Sequence, residues 1–198
     1  MTGSLVDTEP GERFAFGKNW LSFIETVDEA RIASARDSLL AALRVPALAG
    51  RTFLDVGCGS GLFSLAASRL GARVRSFDYD RESVAATTEL RRRFAPDSDW
   101  AIEQGSILDP RFTADLGRFD VVYSWGVLHH TGDLWRALNA TCALVAPGGM
   151  LHLSVYNDQG LASRVWRRVK RRYNTSGELT RALLVAGSAA YLHTAAAI

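Results

Sequence analysis

Apolar and polar residues follow two rhythms along this chain, and the two take turns. Residues 53–56 are a short apolar run ending in glycines, which predicts a strand. Residues 62–70 are apolar at helical spacing and stop at Gly71, a helix terminator. The same alternation predicts further strands at 72–77, 100–103, 119–124 and 150–155, with helices at 83–94 and 134–145. The first of these helices closes before Pro96 and the second before Pro147-Gly148-Gly149, read here as a turn. Strands alternating with helices imply a parallel sheet covered on both faces, the α/β doubly wound class with about five strands. Helices are also predicted at 18–26 and 28–43, ahead of the sheet, and at 161–173 and 178–192, behind it. The chain therefore divides into an N-terminal helical segment (1–50), a sheet-forming core (51–156) and C-terminal helices (157–198), with no internal repeat.

Composition narrows the class. The chain has 198 residues, 47% hydrophobic and 22% charged, as in a soluble globular protein of one domain with an appendage. A disordered chain, a collagen and a disulfide framework are excluded. Cys58 and Cys142, far apart, point to a reducing compartment and away from a metal cluster, so no metal is expected. Residues 1–11 are polar and acidic, unlike a signal peptide, and the expectation is a cytoplasmic protein.

The net charge of +2 hides an asymmetry, because from Leu161 onward there are seven basic residues and one acid. Val165, Trp166, Val169 and Tyr173 fall on one helical face. Arg164, Arg167, Arg168, Lys170, Arg171 and Arg172 take the opposite side. The ordinary reading is a solvated face. The specific readings are contact with an RNA backbone, an acidic membrane surface or a phosphorylated acceptor. Residues 182–198 are uncharged and alanine-rich but fall short of a membrane span, so a partly buried helix is expected there.

The chemistry is concentrated in Leu54-Asp55-Val56-Gly57-Cys58-Gly59-Ser60-Gly61-Leu62, a strand, a glycine-rich turn and a helix start. Glycines let backbone approach a ligand closely, and a helix start offers free N–H groups and positive potential. Such a site suits a nucleotide-like ligand carrying a carboxylate or phosphate. A dinucleotide fingerprint needs its third glycine at position 62, where this chain has Leu62; its third glycine is Gly61. That spacing speaks against a nicotinamide-dependent oxidoreductase.

With this motif the chain resembles the class I S-adenosylmethionine-dependent methyltransferases. Asp55-Val56-Gly57-Cys58-Gly59-Ser60-Gly61 is similar to their first motif, and further matches follow in order from about residue 53 to 155. The resemblance implies a Rossmann-like sheet of order 3-2-1-4-5 binding S-adenosyl-L-methionine, with S-adenosyl-L-homocysteine as product. Asp78 ends the second strand where the family holds the ribose with an acid, and Tyr79 follows where a bulky residue packs on adenine. Gln104-Gly105-Ser106-Ile107 follows the third strand, where the family contacts adenine. The run 119–130 is similar to the family's fourth strand and its functional end, placing Ser124 and Trp125 beside the methionine portion and the transferred methyl. Asp55 is expected to orient the glycine loop or meet the methionine amine. Cys58 is expected to line the pocket through its backbone.

His129 is the candidate general base and His130 is read as structural; two adjacent histidines without a third ligand are a poor zinc signal. Phe16, Trp20 and Phe23 are either core or part of a lid over the donor, with Trp20 the expected contact.

The expected reaction is methyl transfer to an oxygen, nitrogen or carbon nucleophile of a small-molecule acceptor. The pattern is closest to small-molecule enzymes, including those of quinone biosynthesis. Ser124-Trp125-Gly126-Val127 replaces the Asp/Asn-Pro-Pro-aromatic motif of base-directed amino-methyltransferases. The alternatives are a non-catalytic or incomplete binding module and an RNA-directed enzyme using the basic helix. The family continues into sixth and seventh strands, and no strand pattern follows residue 155. The fifth strand is therefore expected at an exposed edge, through which copies of the chain could associate.

Overall fold

The computed structural model describes residues 16–157 and 160–195. Two helices come first, α1 (Phe16–Glu25) and α2 (Glu29–Leu43). Asp28 starts α2 by accepting a hydrogen bond from the Arg31 backbone N–H at 2.8 Å, which satisfies one of the orphan donors of a helix start. There follow β1 (Thr52–Val56), α3 (Leu62–Arg69), β2 (Arg73–Asp78), α4 (Arg81–Phe94) and β3 (Trp100–Gln104). The core closes with α5 (Pro110–Ala114), β4 (Phe119–Trp125), a 3₁₀ turn (Leu128–His130), α6 (Leu134–Ala143) and β5 (Val145–Ser154).

The strands form one parallel sheet in the order β3-β2-β1-β4-β5, as the sequence led us to expect. Successive strand residues point to opposite faces, so the runs that read as continuously apolar feed two cores. Phe53, Val74, Trp100, Val121 and Tyr123 pack with Ile32, Leu39, Leu65 and Leu90 from α2, α3 and α4. Leu54, Val56, Phe77 and Val122 pack on the other side with Ile107, Leu128 and Ala137. The one polar atom of the buried Trp100 ring is satisfied, since its indole N–H donates to Ser76 Oγ at 2.7 Å.

Three details depart from the sequence reading. Helix α6 ends at Ala143, and β5 begins at Val145 rather than at Met150. Pro147-Gly148-Gly149 is thus an irregularity inside the strand: the pairing runs from Phe119↔Val145 to Val121↔Met150 across it. A Cβ on Gly149 would stand 2.9 Å from the Asp120 carbonyl oxygen, so the close pass of the two strands requires glycine. Helix α5 and the 3₁₀ turn were not expected at all. The signal for α5 was present: Asp109 caps it by accepting from the Arg111 N–H at 2.9 Å, and Pro110 occupies its first turn.

The chain divides into two compact units, Met1–Val155 and Tyr156–Ile198. The described part of the second is a pair of helices, α7 (Leu161–Thr175) and α8 (Glu178–Ala195). Trp166 and Tyr191 meet edge to face at 5.8 Å, and Arg181 both donates to the Tyr173 carbonyl at 3.1 Å and lies over the Tyr173 ring. Among the described residues no strand follows β5, and no helix is long and apolar enough to cross a membrane. The polar leader, residues 1–11, and Phe14 lie outside the described residues.

Candidate functional site

The order of the sheet reverses beside β1, with β2 on one side and β4 on the other. In such sheets the crevice beyond the carboxyl ends of the strands at the reversal receives ligands. The glycine loop after β1, Asp78 and Tyr79 at the end of β2, the 105–107 segment after β3, and Ser124 and Trp125 at the end of β4 all come from that edge.

At Gly57 and Gly61 the loop admits only glycine. Gly57 and Gly61 have φ of +80° and +78°, in the left-handed region. A Cβ on Gly57 would run into the Val127 methyls, and one on Gly61 would stand 2.7 Å from the Thr87 methyl. The Gly57 and Cys58 amides both donate to the Phe77 carbonyl, at 2.9 and 3.1 Å, which ties the loop to β2. The Thr87 hydroxyl on α4 donates to the Gly59 carbonyl at 3.1 Å and lies 3.3 Å from Cys58 Sγ. The Cys58 side chain is therefore buried, and burial pushes its thiol well above the usual range, so it is an inert packing group.

Two carboxylates frame the loop. Asp78 accepts from the Gly59 N–H through one oxygen and from the Asp80 N–H through the other, both at 2.9 Å. Each oxygen retains acceptor capacity for a further donor, which is what a ribose diol supplies. Burial raises the Asp78 pKa, against the lowering effect of those N–H groups. Asp55 is buried within β1 and accepts from the Ser64 hydroxyl at 2.6 Å. Its pKa is pushed up to about 7, chiefly by burial and further by the Asp78 charge, with Ser64 opposing.

The remaining predicted residues are placed as follows. Tyr79 is 56% exposed. The Gly105 N–H donates to the Asp78 carbonyl at 3.0 Å, and Gly105 lies against the Phe112 ring. Ser106 Oγ accepts from the Leu108 N–H at 3.2 Å, and the Ile107 side chain is turned into the core. The Ser124 hydroxyl is buried and donates to the Val56 carbonyl at 3.0 Å, locking β4 to β1. Trp125 is 54% exposed and stacks 5.6 Å from His152, which itself stacks 5.5 Å from Tyr123. His129 stands in the 3₁₀ turn against His130, ring centres 4.0 Å apart, and burial lowers its pKa. Trp20, on α1, lies directly on the loop: a Cβ on Gly59 would be 3.1 Å from its indole.

A family model described as a methyltransferase domain matches residues 27–187, most of the chain. The chain belongs to the methyltransferase-domain family. A ubiquinone biosynthesis O-methyltransferase of Methylocella silvestris is 29% identical over 171 residues, covering 78% of this chain and 65% of that protein. The protein of the same description from Pseudomonas paraeruginosa is 35% identical over 111 residues, covering 56% of this chain and 46% of that one. The chain thus spans roughly half to two thirds of the length of these curated relatives. Among solved structures, the YcgJ protein of Bacillus subtilis aligns with a TM-score of 0.58 at 17% identity, covering 71% of this chain and 59% of that one. A coclaurine N-methyltransferase bound to N-methylheliamine and SAH aligns at 0.50 and 20% identity, covering 64% and 36%. These two likenesses establish the fold.

Four residues of the methyltransferase domain's crevice escaped the sequence reading. Thr87 and Val127 wall the glycine loop, Ser64 holds Asp55, and His152 completes the aromatic stack. Val127 lies in the 119–130 run but with no role read for it, and the other three are marked by no motif. Each acquires its role from a contact across the sheet, so no local pattern announces it.

Proposed function

We propose that this chain is an S-adenosyl-L-methionine-dependent methyltransferase acting on a small-molecule acceptor, with oxygen the favoured nucleophile. The observation that carries the reading is the glycine loop with Asp78 fastened beside it at the reversal of the sheet. The O-methyltransferase relatives support the choice of oxygen. The donor would supply an electrophilic methyl on a sulfonium; the residues of this chain bind, orient and exclude water. Asp78 accepts from the ribose hydroxyls, Tyr79 covers the adenine side, and the 105–107 backbone bounds it. Asp55 holds the loop and, when ionised, offers its charge to the donor's ammonium group. Trp125 presents an aromatic face at the methyl side, where a cation is favoured. His129, with its pKa lowered by burial, is the base for an acceptor proton. Holding nucleophile and methyl in line supplies up to about 7–11 kcal/mol of acceleration in favourable systems.

The test is thermal unfolding with S-adenosylmethionine, S-adenosylhomocysteine and NAD. A ligand at about one hundred times its Kd adds roughly 2.7 kcal/mol, a rise of about 5–10 °C in a domain of this size. We expect a rise with the two sulfur compounds; a rise with NAD alone refutes the reading.

Trp20 packs against the core and lies beside Gly59, which supports reading α1 as a lid over the donor. S-adenosylhomocysteine is accordingly expected to change tryptophan emission, and Trp20→Phe to remove most of that change. An unaltered signal in the variant would place the reporter elsewhere and remove the lid.

A further inference from the structure

Helix α7 divides its residues by side. Leu161, Val165, Val169 and Tyr173 line one face and Arg164, Arg167, Lys170 and Arg171 the other, with Arg168 at the boundary; Arg172, expected on the basic side, falls between Leu161 and Val165. None of its residues is buried, and Leu161 is 70% exposed. Helix α8 is apolar around its whole circumference and carries no charged residue after Arg181. An evenly apolar helix is normally covered. Here Leu179 is 78% and Leu183 66% exposed, and Val185, Tyr191 and Leu192 are also open. So many large apolar side chains in one short unit mark a surface that binds something.

The charge decides between occupants. RNA would engage the arginines and leave the leucines and valine in water. A second copy of the hairpin would cover the leucines but leave the arginines, on the opposite side of α7, without a counter-charge. An anionic bilayer meets both demands: apolar side chains enter the interface while Arg and Lys remain at the headgroups. Trp and Tyr beside the apolar face are suited to that boundary. We infer that the α7–α8 hairpin docks the protein on an anionic lipid surface. The inference does not depend on the donor reading, and neither do its readouts.

The experiment is flotation of the full chain with vesicles of phosphatidylcholine alone or of phosphatidylcholine containing phosphatidylglycerol. Each cation near such a surface is worth roughly fivefold in binding, so reversing three should cost about a hundredfold or more. The chain is expected to float with the phosphatidylglycerol vesicles at about 0.1 M salt and to be released at about 1 M, where charges are screened within roughly 3 Å. The combined variant R167E/R168E/R171E should lose that binding by at least about a hundredfold. V165D, at an exposed position of the apolar face, should lose it as well, with helix content checked by circular dichroism. Should V165D lose helix, the charge variant and the salt response of the unaltered chain decide. Equal binding to both vesicle types, or to neither, overturns the proposal. Tighter binding to a random single-stranded RNA, with V165D harmless, overturns it in favour of nucleic acid. A dimer in light scattering that L183D dissolves overturns it in favour of a second copy.

Discussion

Asp78→Ala is expected to abolish the thermal shift that S-adenosylhomocysteine gives the unaltered chain. The substitution acts twice. It removes the acceptor proposed for the ribose hydroxyls, and it strips the Gly59 and Asp80 N–H groups of the carboxylate that holds the loop open for a ligand. Hydrogen bonds to a charged group are worth about 1.5–3 kcal/mol each, so losing even one consumes most of a roughly 2.7 kcal/mol ligand effect. Asp78→Asn separates the two roles. Its amide oxygen can still accept from the Gly59 N–H, at the cost of the bond from the Asp80 N–H, while the ribose loses a charged acceptor; the shift should shrink without vanishing. Burial raises the Asp78 pKa, so ligand affinity should also fall as the pH drops and the carboxyl takes up its proton. Isothermal titration at two pH values checks this. A full thermal shift in Asp78→Ala would reduce Asp78 to a loop support.

The second large effect concerns Asp55 and has the opposite sign for stability. Its pKa moves from an ordinary 3.8 to about 7 on burial. The folded state therefore keeps a proton that the unfolded chain has lost, and the stability this contributes is complete below about pH 4. It is lost as the pH rises through about 7, a change of up to roughly 4 kcal/mol. Asp55→Asn cannot ionise. Urea midpoints should therefore show the unaltered chain losing ground to Asp55→Asn between pH 4 and 7, and the variant the more stable at pH 8. The same variant should bind S-adenosylhomocysteine more weakly at pH 8, because the charge proposed to meet the ammonium is gone. Parallel stability curves would mean that Asp55 stays ionised in the fold.

How much of this could be read from the chain depends on whether a role is local. The strands are short apolar runs because both faces of the sheet are covered, and their alternation with helices yields a parallel sheet, whereas the order seen was implied by the family resemblance. The glycine loop and Asp78 lie within a few dozen residues and belong to a recognisable spacing, so the loop and the acid fastened beside it were legible. Pro147-Gly148-Gly149 misled because turn residues also serve inside a strand, where Gly149 lets β5 pass the Asp120 carbonyl. Helix α5 has five residues, too few to show a period, although Asp109-Pro110 announces its start. Thr87, Val127 and Ser64 are ordinary residue types. Their work becomes visible only when α4, the segment after β4 and α3 converge on one loop, and the same holds for His152 beside Trp125.

The pairing of β1 with β4 has a consequence for how the protein is made. Thr52 and Asp120, which join the two strands near their starts, are 68 residues apart in the chain, and Val127, the wall of Gly57, comes later still. Synthesis proceeds from the N-terminus at about 5–20 residues per second, so the ribosome releases β1 several seconds before its inner neighbour exists. During that interval the nascent chain holds β1, β2 and β3 with one flank of the central strand bare, and the glycine loop has no Val127 against it. The loop thus gains its last wall only after four of the five strands have been made, and a loop conformation that depends on Val127 exists only in chains translated past residue 127.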